Sequence, residues 1–349
     1  MGKVLVFTQS RTVGFDSYED PPLKPHEVRL RTLYSGISAG TELTAYRGSN
    51  PYLHKQWDAT RKLFIPAEQP ALTYPVSGWG YEEVGEVIEM GNEVQDVSIG
   101  DIIFGTWGHR TLHIVEESYA RDRVQAKSLD AIFGIFSQIG AIAINGVHDA
   151  RIRIGETVAV FGMGTLGQIV GQLARKSGAT VIGIDRFEKR LEIAMQSGSA
   201  DIVLNAGKDE VAERIRAVTN NRGADVAIEV TGSTIALNQA IRSVAYSAKV
   251  IALGFFQGEA TGLYMGEEFH HNRVNIVGSQ ISGTDPELTY RWNRLRLVQT
   301  FMRLQADGLI DLKPLISHVI PFENAGEAFH ILDGEPENAL QVVLDFTKP

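Results

Sequence analysis

Residues 157–185 read Thr157-Val-Ala-Val-Phe161, Gly162-Met163-Gly164-Thr165-Leu166-Gly167, an apolar-periodic run to Ser177, and Gly178-Ala-Thr-Val-Ile-Gly-Ile-Asp185. The pattern is a buried strand, a glycine-rich turn, a helix, a second buried strand and a terminal acid. Gly162 permits the tight turn off the strand, Gly164 lets a pyrophosphate approach the backbone, and Gly167 lets the helix lie close to the sheet. The helix start at Thr165 and Leu166 offers unpaired N–H groups and partial positive charge to a phosphate. Asp185 follows Gly167 by about 20 residues, where a carboxylate can receive the hydroxyls of an adenosine ribose. The bland alternative is a doubly wound domain whose glycines only pack.

Working outward, the second half alternates. Helix 186–197, strand 201–204, helix 208–219, strand 225–230, helix 233–244 and strands 248–253 and 274–278 predict a parallel, doubly wound sheet. An apolar helix over 131–149 precedes it; helix 292–307, helix 323–332 and a closing strand over 340–346 follow. Thr231-Gly232 and Gly254 end two strands at the side where an open parallel sheet binds ligands. A carboxylate at Asp185 disfavours a 2′-phosphate and selects NAD, whereas Arg186, Lys189 and Arg190 leave NADP possible.

The first 130 residues differ. Strands over 3–8 and 27–35, broken by Pro21-Pro22-Leu-Lys-Pro25, and further short strands with glycine turns predict an antiparallel, barrel-like domain. The 349 residues carry a net charge of −9, which argues against a nucleic-acid partner. With no cysteine, disulfides, thiolate ligands and a thiol nucleophile are excluded. No signal peptide or membrane span is expected, and a cytoplasmic protein is the default.

Several motifs together resemble the medium-chain dehydrogenase/reductase superfamily over nearly the whole chain. They are Gly36-Ile37, Gly80-Tyr81-Glu82 with Val84-Gly85-Glu-Val, Ile99-Gly100-Asp101, the Gly162–Gly167 turn with Asp185, Glu229-Val-Thr-Gly232, and Pro321-Phe322-Glu323 before Ala328-Phe329. Gly36-Ile-Ser38-Ala-Gly40-Thr41-Glu42 and Tyr46-Arg47-Gly48 are similar to the branch with bacteriochlorophyllide a dehydrogenase and sugar or polyol dehydrogenases. The resemblance implies an α/β chain: a GroES-like β-barrel catalytic domain (1–138 and 283–349) and a Rossmann doubly wound domain (139–282). It implies a site in the cleft between them, a small-molecule substrate, and a homodimer or homotetramer.

Many members of the family bind a catalytic zinc, but here the matching ligand positions hold Ser38, Tyr81 and, near the last, Ser137 or Gln138. Glu82 alone remains, and hydroxyls and amides bind zinc poorly. The family's relay positions hold Gly40 and Leu43, and its cysteine-rich structural lobe is missing. No zinc is therefore expected; Glu82, His109 and His113 form a conceivable but disfavoured alternative site. Tyr81 is the first choice as proton donor to a substrate oxygen, with Ser38 and Glu82 beside it. Trp79 and Trp107 suit stacking on a sugar or flat ring, and Thr41 and His109 complete the expected substrate contacts. The segment 49–70, with Trp57, is a surface insertion or a lid. The leading expectation is a zinc-independent, NAD-linked oxidoreductase interconverting a secondary alcohol and a ketone. A quinone- or enoyl-type NADPH reductase and a catalytically silent dinucleotide-binding protein are the competing readings.

Overall fold

The computed structural model describes residues 1–67 and 70–348. They form two compact units, residues 1–136 with 318–349, and residues 137–317.

In the first unit, the chain order is β1 (Gly2–Gln9), β2 (Thr12–Tyr18), β3 (Glu27–Ile37), α1 (Glu42–Arg47), β4 (Lys55–Asp58), β5 (Leu63–Pro66), β6 (Val76–Ser77), β7 (Glu83–Met90), β8 (Ile102–Gly105), β9 (Leu112–Glu116) and α2 (Glu117–Arg121). β1 pairs antiparallel with β2 and with β6. β3 is the central strand of a second sheet: Glu27-Val-Arg-Leu-Arg-Thr-Leu-Tyr-Ser-Gly-Ile pairs antiparallel with β7 and β9. Val28 and Leu30 of β3 point into a core with Val87, Ile103 and Trp107. Ile37, at its far end, joins Leu5, Phe7, Leu43, Phe322 and Phe329 in another.

The second unit holds α3 (Ser137–Ala150), β10 (Thr157–Phe161), α4 (Thr165–Lys176), β11 (Thr180–Asp185), α5 (Glu188–Gln196), β12 (Ile202–Asn205), α6 (Val211–Val218), β13 (Ala224–Glu229), α7 (Thr234–Ser243), β14 (Val244–Ala252), β15 (Asn275–Gly278) and α8 (Arg294–Ala306). Its sheet order is β12-β11-β10-β13-β14-β15. Every pairing in it is parallel. Strands covered on both faces read as continuous apolar runs, which is why Thr157-Val-Ala-Val-Phe161 does not alternate. The chain then returns to the first unit through β16 (Ile316–Pro321), α9 (Ala325–Gly334) and β17 (Gln341–Asp345), and β17 pairs antiparallel with β3.

Three features differ from the sequence reading. Residues 283–317 pack with the second unit, not the first. The reason is the apolar face of α8: Phe301 lies flat on Gly140 of α3, where an added Cβ would come within 2.0 Å of the ring. Burying such a ring contributes about 1.5–3 kcal/mol. Residues 131–150 are long and apolar enough to cross a membrane, but 72% of that window is buried inside the protein, as in a core helix. The segment 49–70, expected as a surface insertion or a lid, carries two strands that the sequence reading did not assign. β4 and β5 form a hairpin, closed where Asp58 Oδ1 accepts the N–H groups of Thr60 and Arg61 at 3.0 and 2.8 Å. Residues 68 and 69 of that segment lie outside the described residues.

Candidate active site

In the second unit, α4 starts at Gly164, so no side chain caps its first N–H groups. Gly162 has φ +101°, a conformation that glycine adopts without strain. A Cβ on Gly167 would sit 1.7 Å from Gly162 O, so the turn folds tightly only with glycine there. A Cβ on Gly164 would meet only Arg190 Nη1, at 3.7 Å. That open approach, with bare amides behind it, fits a diphosphate. Thr165 and Leu166 are half-buried on the same turn, and Arg186 is exposed with its guanidinium 4.6 Å over the Phe187 ring.

Asp185, expected as a ribose acceptor, also holds the turn itself. Its Oδ2 accepts Met163 N–H at 2.8 Å and its Oδ1 accepts Phe187 N–H at 3.0 Å. It braces the turn, and Arg190 Nη1 lies 3.7 Å away. The expected strand-end residues Thr231, Gly232 and Gly254 come together around Glu229, which the sequence reading had not assigned to the site. Glu229 accepts the N–H groups of Thr231 and Gly232 at 2.8 and 3.1 Å. Gly254 sits so close that a Cβ would be 2.2 Å from Gly232 N. Burial raises the Glu229 pKa to about 6 against these hydrogen bonds.

In the first unit, the hydroxyls of Ser38 and Tyr81 are hydrogen-bonded to each other, and Thr41 Oγ1 lies 3.4 Å from Tyr81 OH. Ser38 is buried and Tyr81 half-buried. Burial, with Glu82 adding to it, pushes the Tyr81 pKa above its ordinary value, so the phenol keeps its proton. Glu82 is fully buried. Its Oε2 accepts Gln341 Nε2–H at 2.9 Å, while its Oε1 has no partner. Burial, reinforced by Glu42 and Glu83, raises its pKa well above the ordinary carboxylate value and favours the protonated form. Three expected groups, Ser38, Thr41 and Tyr81, are thus brought together.

Trp107 and His109 are not surface groups. Trp107 is packed in the β3–β7 core, and its Nε1 donates to Thr32 Oγ1 at 3.0 Å. His109 is fully buried with both ring nitrogens engaged, by Glu42 and Ser35. Both follow β8 in the loop before β9, and their burial and engaged polar atoms make them parts of the core, not the exposed substrate contacts expected from the sequence. Trp79 is half-buried against the Phe7–Phe329 core. The sequence reading missed Ser35, Glu42, Glu83 and Gln341. Only Glu42, next to Thr41, lay in a motif that pointed there.

These residues do not fit a zinc ion. Two hydroxyls hydrogen-bonded to each other, with a single carboxyl whose Oε2 is already held by Gln341, make a weak donor set. Gln138 Oε1, in the other unit, accepts Arg294 Nε–H at 3.2 Å. His113 stacks on Trp107 at 5.6 Å, and its pKa is lowered to about 4, chiefly by burial. Among the described residues, no group of three or more His, Asp or Glu is placed to hold a metal.

Comparison with known proteins agrees with this architecture. A family model described as zinc-binding dehydrogenase matches residues 165–297. The chain is 32% identical over 354 residues to D-guloside 3-dehydrogenase of Escherichia coli strain K12, covering 99% of this chain and 100% of that one. Among solved structures, the fold is that of a putative zinc-binding dehydrogenase from Sinorhizobium meliloti 1021 bound to NADP (TM-score 0.75, 22% identity, 99% of each chain). It is equally that of a short chain alcohol dehydrogenase from Escherichia coli CFT073 complexed with NADH (TM-score 0.76, 19% identity, 99% of each chain). The chain belongs to the medium-chain dehydrogenase/reductase superfamily of oxidoreductases, among its alcohol dehydrogenase-like members.

Proposed function

We propose that this protein is a nicotinamide-dependent dehydrogenase that interconverts a secondary alcohol and a ketone on a sugar, polyol or cyclic substrate, without zinc. The observation that carries it is the hydrogen-bonded Ser38–Tyr81 hydroxyl pair, with buried Glu82 next in the chain, at positions where the family resemblance places metal ligands. The D-guloside 3-dehydrogenase relative supports the substrate class, since a ring C3 hydroxyl is a secondary alcohol.

The nicotinamide, when bound, accepts or supplies the hydride. The turn residues Gly162, Gly164, Thr165, Leu166 and Gly167 would receive its diphosphate, with Asp185, Arg186, Thr231, Gly232 and Gly254 around the rest. NAD is the preferred form and NADP the alternative. Tyr81 presents an O–H donor because its phenol stays protonated. In ketone reduction this proton passes to the substrate oxygen as hydride reaches the carbon, and a proton taken up from water, relayed through Ser38 Oγ as it gives its own, restores the Tyr81 phenol. In alcohol oxidation the same protons move in reverse. Such acid–base assistance typically contributes 10²–10⁴-fold. Cytoplasmic placement and a homodimer or homotetramer belong to the same proposal.

A panel of glycosides, polyols, quinones and enones, followed at the nicotinamide absorbance, tests the reading. Turnover of glycosides or polyols that persists after chelator dialysis, with zinc far below one per chain, supports it. Turnover confined to quinones or enones, or lost with removable stoichiometric zinc, defeats it.

A further inference from the structure

His109 is fully buried, yet both ring nitrogens face oxygens. Nε2 lies 2.5 Å from Glu42 Oε2, and Nδ1 lies 2.6 Å from Ser35 Oγ. The Ser35 hydroxyl has one proton and donates it to Glu83 Oε1 at 3.2 Å. With Glu83 ionised, Nδ1 donates to Ser35, and Nε2 donates to the Glu42 carboxylate. Two donating nitrogens make an imidazolium. A buried cation needs paired charge, and Glu42 and Glu83 flank it. The ring of Phe329 closes another side at 6.2 Å.

The partners of this residue converge on the hydroxyl pair. Glu42 Oε1 accepts Ser38 N–H at 2.8 Å. His109 N–H donates to Trp79 O at 3.0 Å, two residues before Tyr81, and its carbonyl is held by Leu5 N–H at 2.9 Å. One residue therefore ties down both segments whose hydroxyls meet at Ser38 and Tyr81.

We propose that His109 is the positioning residue of the Ser38–Tyr81 pair, a buried imidazolium that holds Glu42 against the Ser38 amide. This rests on reading Ser38 and Tyr81 as the groups that meet the substrate oxygen.

The test uses His109→Gln and Glu42→Gln, each alone and combined with Tyr81→Phe. His109→Gln leaves Glu42 without its cation and can lose the fold. Glu42→Gln still offers Ser38 N–H an acceptor, and melting curves identify the folded variants. On a substrate that wild type turns over, each folded variant is expected to lose roughly 10- to 100-fold in kcat, the cost of a small misplacement. KM for the dinucleotide should stay unchanged, and no further loss should appear in the Tyr81→Phe background. Unchanged kcat, or losses that multiply with Tyr81→Phe, overturn the proposal. If Tyr81→Phe itself leaves turnover intact, the functional reading has failed instead, and a second readout still decides the positioning. In protein carrying 3-fluorotyrosine, the Tyr81 fluorine resonance, assigned by its loss in Tyr81→Phe, should move in both variants. An unmoved resonance overturns the positioning whatever the reaction.

Discussion

Asp185 Oδ2 accepts the Met163 backbone N–H at 2.8 Å, so the acid that ends β11 braces the turn after β10. Its Oδ1 is used as well, by Phe187 N–H. Each carboxylate oxygen retains a second lone pair, which is what a ribose hydroxyl would use. Asp185→Asn has one acceptor oxygen for two inward N–H groups. The loss of about 1 kcal/mol should lower the melting temperature by roughly 2–4 °C. Calorimetry should find weaker NAD binding in the variant, with NADP less affected. Tighter wild-type binding of NADP than of NAD would reverse the cofactor assignment.

The glycines of the turn separate packing from binding. Gly167→Ala places a methyl 1.7 Å from Gly162 O, which the backbone cannot relieve. It should destabilise by more than about 4 kcal/mol, at the severe end of single substitutions. Gly164→Ala meets only the end of Arg190 at 3.7 Å and should melt like wild type. It should nevertheless lose about tenfold or more in dinucleotide affinity, because the methyl stands where a phosphate approaches the backbone. Equal affinity of Gly164→Ala and wild type in calorimetry would place the diphosphate elsewhere.

The second unit was legible because its signals are local. Val158–Phe161, the three glycines and Asp185 lie within one βαβ span, and the strand–helix alternation after it follows one period. The α8 docking was not legible, since Gly140 and Phe301 are far apart in sequence and nothing local says which unit a helix face meets. In the first unit, Ser38 and Tyr81 were found from motifs, and the structure joins their hydroxyls. The buried His109, Glu42, Glu83 and Gln341 were missed or misread. A charged residue in a sequence reads as surface, and only long-range pairing of β3, β7 and β17 encloses these four.

Glu82 offers a test of charge state. Burial favours its neutral form, which resembles glutamine in shape and in the acceptor it gives Gln341. Glu82→Gln should stay within about 1 kcal/mol of wild type, because no charge is removed and the bond to Gln341 survives. Glu82→Ala, which strands the Gln341 amide, should cost about 1–3 kcal/mol. Tyr81→Phe should lower kcat about 100-fold with nucleotide affinity unchanged. Strong destabilisation by Glu82→Gln at neutral pH would mean that the carboxylate is ionised there.

Glu83 gives the site its pH dependence. Burial raises its pKa from 4.5 to about 7, with His109 and the Trp107 N–H pulling the other way. The folded state therefore holds this proton over a range in which the unfolded chain has released it. A raised carboxyl pKa stabilises fully below the unfolded value, and that contribution is lost as pH rises through the folded value. The window here runs from about 4.5 to about 7, and the full shift corresponds to about 3–4 kcal/mol. Glu83→Gln cannot ionise, so its stability should fall less than that of wild type between about pH 5 and pH 8. Urea denaturation of both proteins across this range separates the difference from Glu229, whose raised pKa acts on both alike, and includes the part of the Glu82 shift that Glu83 causes. Parallel curves would place the Glu83 pKa in the ordinary carboxylate range and leave His109 with two ionised partners throughout.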